Sequence, residues 1–140
     1  MKALLQSPRA AIAAALAGGA VTVAGFAPVA AYPLIFLTLA GLLVLWLRAR
    51  TPSHALWIGF AFGAGLFGAG ASWVYISLHD FGAMPAPLAA LATVVYCAIL
   101  ALYPAAAGWC LARLQAGRVA ASVAAFPASW VFFEWMRGWV

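Results

Sequence analysis

Long apolar runs, broken only by basic residues, prolines and short turns, constrain this chain more than any other feature. Hydrophobic residues fill 69% of the 140 positions, against seven basic and two acidic side chains. A water-soluble domain covers its surface with roughly a quarter charged residues. At 6% charged, this chain has lipid as its main solvent. Division at charges and prolines leaves five apolar segments, at about residues 10–27, 31–47, 55–78, 88–112 and 119–139. The first four have the length a helix needs to cross a hydrocarbon core of about 30 Å. A β-barrel would show alternating segments of about ten residues instead. The expected fold is all-α, a polytopic membrane helix bundle with about five transmembrane helices, with residues 1–140 forming one transmembrane domain. Residues 1–27 also fit a secretory signal peptide, but more membrane-type sequence follows, so an uncleaved first span is the simpler reading.

The net charge of +5 does not point to nucleic acid, because the basic residues stand singly or in pairs beside apolar runs, without a basic face. They read as topology determinants. A cytoplasmic N-terminus places Lys2, Arg9, Arg48, Arg50, Arg113 and Arg118 on the cytoplasmic side and only Arg137 at the opposite end. The loops at residues 28–33 and 79–87 then face outwards. Trp46, Trp57 and Trp109 are expected at the inner boundary and Trp73, Trp135 and Trp139 at the outer one, as in an aromatic belt.

The third segment is rich in small residues at helical spacing. Gly59 and Gly63 form a Gly-x-x-x-Gly pair, Ala61, Gly65 and Ala69 a second row, and Gly68 and Ser72 a third. Such rows let helix backbones approach closely in lipid. A helix–helix interface is the favoured reading, and a smooth groove for an acyl chain is the alternative. Pro104 and Pro127 fall inside the fourth and fifth segments, where each removes a backbone donor and kinks its helix.

Few polar groups sit where they are costly. Glu134 lies deep in the fifth segment with Arg137 one turn later, which reads as an i, i+3 ion pair near the outer interface or as an intramembrane functional group. His79 and Asp80 invite an acid–base reading, yet adjacent side chains do not face each other and no nucleophile is placed beside them. A turn at the outer interface is the plainer account, with Asp80 preceding Gly82. Trp73, Tyr75, His79, Phe81, Met84, Glu134 and Arg137 are the candidates for a substrate entrance, and interfacial anchoring explains Trp73, Tyr75 and Phe81 equally well. Cys97 and Cys110 would lie about 20 Å apart on one helix, too far for a disulfide, and neither has the activating neighbours of an outward-facing thiolate nucleophile. No phosphate loop, nucleophile elbow or metal-ligand spacing is present, so neither a catalytic residue, a cofactor nor a metal site is expected.

Residues 66–87 read LFGAGASWVYISLHDFGAMPAP. This run resembles the Phe-Gly-x-Gly-x-x-Trp-Val-Tyr-x-Ser and Phe-Gly-Gly-Met-Pro signatures of the bacterial apolipoprotein N-acyltransferases. The Gly-Phe-Ala-Pro motif at residues 25–28, the following Tyr32-Pro33 and the Glu-Trp-Met-Arg-Gly-Trp run at residues 134–139 extend the resemblance. Ala83 departs from it, standing where the family has a second glycine. The resemblance implies a multi-pass enzyme of the bacterial inner membrane. That enzyme moves an acyl chain from a phospholipid to the α-amino group of a lipoprotein's diacylglyceryl-cysteine. Its chemistry is ping-pong through a cysteine thioester, aided by a glutamate base and a lysine in a periplasmic nitrilase-like domain. No position here matches those three residues, so the chain is expected to be the N-terminal membrane domain, a fragment inactive alone, with Glu134 and Arg137 positional rather than catalytic. A small transporter or channel subunit is the competing reading, but it calls for polar groups on several helices. A non-catalytic membrane assembly protein using the glycine faces is a third.

Overall fold

The computed structural model describes residues 7–26, 28–114 and 119–139. The expectations attached to Lys2, Ala27, Arg118 and Val140 lie outside the described residues. Helices account for nearly all of the described chain, and there is no strand among the described residues. In order they are α1 (Pro8–Thr22, continued by a 3-10 turn Val23–Gly25), α2 (Pro33–Leu47), α3 (Pro52–Gly70), α4 (Trp73–Ile76, continued by a π-turn Ser77–Phe81), α5 (Ala86–Leu114) and α6 (Val119–Arg137).

Their starts follow from local chemistry. Ser7 and Thr51 take extended backbone and their hydroxyls accept the Ala10 and His54 N–H groups, each at 3.1 Å. Each is followed by a proline at the first helical position, where the missing N–H has no intrahelical partner to lose. Among the described residues, two helices are long and apolar enough to cross a membrane singly: Pro8–Gly25 with 18 residues and Ala86–Leu114 with 29. Pro52–Gly70 and Trp73–Phe81 reach that length together, but bent by 49°. The 15-residue α2 is about 22 Å long.

The bend in the third apolar segment, expected as one run over residues 55–78, has a local cause. Gly68, Gly70 and Ser72 crowd into five positions, and Ala71 leaves the helical region at φ −103°, ψ 15°. Glycine and serine near one another are the usual seat of a sharp kink without proline. The chain restarts at once as α4 and ends in the π-turn, where the Gly82 N–H reaches the Ser77 carbonyl at 2.9 Å.

Helix α3 is the centre of the bundle, packed between α1 and α5. A Cβ on Gly59 would fall on the Pro104 carbonyl, and one on Gly63 would come within 2.7 Å of Ala101 Cα. On the other side a Cβ on Gly65 would strike the Leu16 carbonyl, and one on Gly19 of α1 would strike that of Phe62. Two of the three small-residue rows are therefore helix interfaces. The third is not, since Gly68 has open space around it. Pro104 sits inside α5 where the α3 glycines cross it, and Pro127 inside α6.

Trp46 corrects the belt expected at the inner boundary. It is fully buried, donates its indole N–H to the Ala55 carbonyl at 3.1 Å, and packs against Gly108 and edge-on to Phe126 at 5.7 Å. Close α2–α5 approach at Gly108 leaves a flat slot that only a ring fills well. Trp57 and Trp109 remain exposed on the bundle surface, Trp109 under the Arg113 guanidinium. Trp73, Trp135 and Trp139 are exposed at the other end. Phe62, also fully buried, meets Trp130 edge-on at 6.2 Å, so aromatic rings of α6 seat it against α2 and α3.

Candidate functional site

Towards the bend that ends α3, a cavity of about 480 Å³ lies between α1, α2, α3 and α6. Its walls are apolar for most of their extent, with Phe26, Ile35, Leu39, Phe62, Leu66 and Trp130 among them. Its polar end carries Glu134 and Arg137. Both Arg137 Nε and a terminal guanidinium nitrogen donate to Glu134 Oε2, at 3.0 and 2.5 Å, and the guanidinium also lies 5.6 Å from the Phe67 ring centre. Each side chain is 37% exposed, so the pair lies at the mouth rather than in a sealed core. The i, i+3 spacing on α6 makes the pair, and the aromatic contacts of Phe126 and Trp130 aim that face of α6 inward. An apolar hollow closed by a paired carboxylate and guanidinium suits an amphiphile, with its chain along the hollow and its polar group at the pair.

The other candidates form a separate group on α4 and the turn after it. His79 Nδ1 lies 2.9 Å from the Met84 carbonyl, which can only accept, so Nδ1 carries the hydrogen. The His79 ring also lies against Tyr75, centroids 5.5 Å apart. Tyr75, His79 and Met84 thus close one turn, and the histidine has a structural task. Phe81 and Trp73 project from this region and are 86% and 61% exposed, as membrane-facing anchors are. Of the seven residues singled out, only Glu134 and Arg137 line the cavity.

Ala83 holds the left-handed conformation at φ 51°. This is the position where the resemblance calls for glycine, and the backbone explains why: a Cβ costs about 1–2 kcal/mol there. Ala83→Gly is expected to stabilise the folded chain by about 0.5–1 kcal/mol after the added unfolded-state freedom of glycine is subtracted. Thermal unfolding in detergent checks this, and a lowered Tm would count against it.

Several cavity residues carry no signal as isolated positions. Thr22 Oγ1 donates to Thr38 Oγ1 at 2.8 Å, and Thr38 passes its own hydrogen to the Leu34 carbonyl at 2.8 Å, tying α1 to α2 beside the hollow. Phe26 lies within the Gly-Phe-Ala-Pro motif, and Leu66, Phe67 and Gly70 lie within the run at residues 66–87. Cys97 is buried with Sγ 3.4 Å from the Phe67 carbonyl, and Cys110 is half-buried; both thiols are free. Among the described residues no group of three or more His, Cys, Asp or Glu could hold a metal ion.

The sequence matches the family described as apolipoprotein N-acyltransferase N-terminal domain over residues 18–140. A relative from Nitrosomonas europaea, named apolipoprotein N-acyltransferase, is 50% identical over 125 residues, covering 89% of this chain and 25% of the relative. One of the same name from Coxiella burnetii is 48% identical over 125 residues, covering 88% of this chain and 26% of the relative. A third, from Ralstonia nicotianae, is 46% identical over 128 residues. The chain spans about a quarter of the length of the curated relatives it matches. With a match this extensive, the chain belongs to the apolipoprotein N-acyltransferase N-terminal domain family.

Proposed function

We propose that the chain is the membrane-domain part of an apolipoprotein N-acyltransferase, contributing the lipid entrance to transfer of an acyl chain from phospholipid to the diacylglyceryl-cysteine of a lipoprotein. The family match over residues 18–140 carries this reading, and the apolar cavity with the Glu134–Arg137 pair at its mouth supports it. The hollow accommodates an acyl chain, while the unused guanidinium N–H groups of Arg137 are donors for a headgroup phosphate. The nucleophile and its base belong outside these 140 residues, because neither cysteine has a basic partner in an outward-facing site. The chain alone is therefore expected to leave lipoproteins diacylated, as mass spectrometry of their N-terminal peptides would report; a third acyl chain would refute this. The transporter reading has less support, since among the described residues the one ion pair is Glu134–Arg137.

The proposed placement is the bacterial inner membrane with a cytoplasmic N-terminus and five crossings. In it α2 crosses with help from its flanking turns, and the α3–α4 pair crosses as one bent span. Support comes from Arg9, Arg48, Arg50 and Arg113 falling at one end of their helices and Arg137 at the other. Fusions to a reporter active only outside the cytoplasm are expected to be active at Ala30, inactive at Arg50 and active at Ala83. Equal activity at Ala30 and Arg50 would mean that α2 does not cross.

A further inference from the structure

A second hollow, of about 310 Å³, lies between α1 and α2 on the opposite side of the Thr22–Thr38 bond from the first. It runs beside α2 from Thr38 to Arg48. Its side walls are small or aliphatic, with Ala14, Ala15 and Gly18 of α1 and Gly41, Leu42 and Leu45 of α2, and the Phe62 ring of α3 also lines it.

Two of these residues are glycines that no neighbouring helix requires. A Cβ on Gly41 would meet nothing within 4 Å, and one on Gly18 would make only ordinary contact with the Phe62 ring at 3.9 Å. In this they differ from Gly19, Gly59, Gly63 and Gly65, whose hydrogens touch another backbone. Glycine inside a helix costs about 1 kcal/mol relative to alanine. At Gly41 and Gly18 that cost does not go into helix packing, and its structural result is a deeper hollow.

Length, lining and charge then select the occupant. Thr38 to Arg48 is about 15 Å of helix, half of a hydrocarbon core of about 30 Å. The hollow thus has the depth of one leaflet. Apart from Thr38 and Arg48 its lining is apolar, as an extended acyl chain requires. Arg48 stands at the end of the hollow, exposed, with Arg50 two residues on. The only two acidic side chains in the sequence are elsewhere: Glu134 is paired with Arg137, and Asp80 lies in the turn after α4. No carboxylate neutralises this end.

We infer that the α1–α2 hollow is a binding site for one anionic phospholipid, with an acyl chain between Gly18 and Gly41 and its phosphate at Arg48. This lipid is distinct from the acyl donor at the Glu134–Arg137 cavity, and its chemistry is that of a retained structural ligand. Only the name of the leaflet, cytoplasmic, rests on the proposed orientation. A basic end between two membrane helices is a favourable seat for an anionic headgroup.

Native mass spectrometry of the purified protein in mild detergent tests the site, after delipidation and titration with phosphatidylglycerol or phosphatidylethanolamine of the same acyl chains. One phosphatidylglycerol should be retained per chain, with about fivefold preference over phosphatidylethanolamine. Arg48→Gln should remove the preference while leaving circular dichroism unchanged. Gly41→Leu, whose Cβ meets no atom within 4 Å and whose side chain takes up the hollow, should abolish retention of both lipids while circular dichroism stays unchanged. Equal retention of the two lipids by the parent protein would overturn the anionic assignment. Undiminished retention in Gly41→Leu would overturn the location. A dimer that Gly41→Leu dissociates would show that a second copy occupies the face, also against the inference. These readouts do not depend on acyl transfer, so the site can fail while the acyltransferase reading stands, and the reverse.

Discussion

Gly65→Ala is expected to destabilise the bundle by about 2–3 kcal/mol, although alanine is the better helix former by about 1 kcal/mol. The added methyl falls on the Leu16 carbonyl, where the obstacle is backbone and no rotamer change relieves it. α1 must then move away from α3, and with it goes dispersion along the whole contact, which is what holds helices together in lipid. Gly59→Ala should behave alike on the α5 side, because its methyl meets the Pro104 carbonyl. Gly68→Ala is the control, with nothing within 4 Å, and should leave Tm unchanged or raise it. Thermal unfolding of the three variants in one detergent reads the result. A drop of roughly 10 °C for Gly65→Ala and Gly59→Ala, with none for Gly68→Ala, is the expected pattern. Equal behaviour of all three would mean that α3 is not the packed centre.

Trp46→Ala is expected to cost about 3 kcal/mol or more. It removes the largest fully buried side chain and, with it, the indole hydrogen bond to Ala55, the edge contact with Phe126 and the filling opposite Gly108. Trp46→Phe keeps much of the volume but loses the hydrogen bond, and should cost about 1 kcal/mol. Trp57→Ala should change Tm little, because that ring is 56% exposed. Unfolding curves of these variants separate a buried tryptophan from a membrane anchor. A Trp46→Ala variant as stable as Trp57→Ala would contradict the α2–α3–α5 packing.

The contrast between these two tryptophans shows where sequence reasoning stops. Both stand near the end of an apolar run beside basic residues, and periodicity treats them alike. Their fates differ because Gly108, sixty-two positions away in sequence from Trp46, opens a slot at one and not the other. The small-residue rows of α3 were readable because helix spacing alone puts Gly59 with Gly63 on one face. Which row would remain empty was not readable, since Gly68 looks the same as its neighbours until α1 and α5 are in place. The bend at Ala71 is intermediate: the glycines and Ser72 were visible, but apolarity ran on through them and suggested one span.

The same division holds at the candidate site. Glu134 and Arg137 are local partners on one helix, so their pairing follows from i, i+3 spacing. The hollow they face is assembled from four helices, with Phe26, Ile35, Leu66 and Trp130 far apart in sequence. Nothing local marks such residues as lining one space. His79 is the converse case. As a residue type beside a carboxylate it suggested acid–base chemistry, and its bond to the Met84 carbonyl makes it a clasp for the turn.

If the chain is an interchangeable membrane domain of the acyltransferase with Arg137 at the lipid mouth, it should work in place of a relative's own segment. The most direct measurement replaces the matching segment of the Nitrosomonas europaea relative with this chain and makes the chimera the sole enzyme in a cell. Mass spectrometry of a lipoprotein's N-terminal peptide should find the third acyl chain. Arg137→Ala in the chimera should reduce that species at least tenfold while leaving the amount of membrane-inserted protein unchanged. A correctly inserted chimera that yields only diacylated peptide, or an Arg137→Ala chimera as active as its parent, would contradict the account.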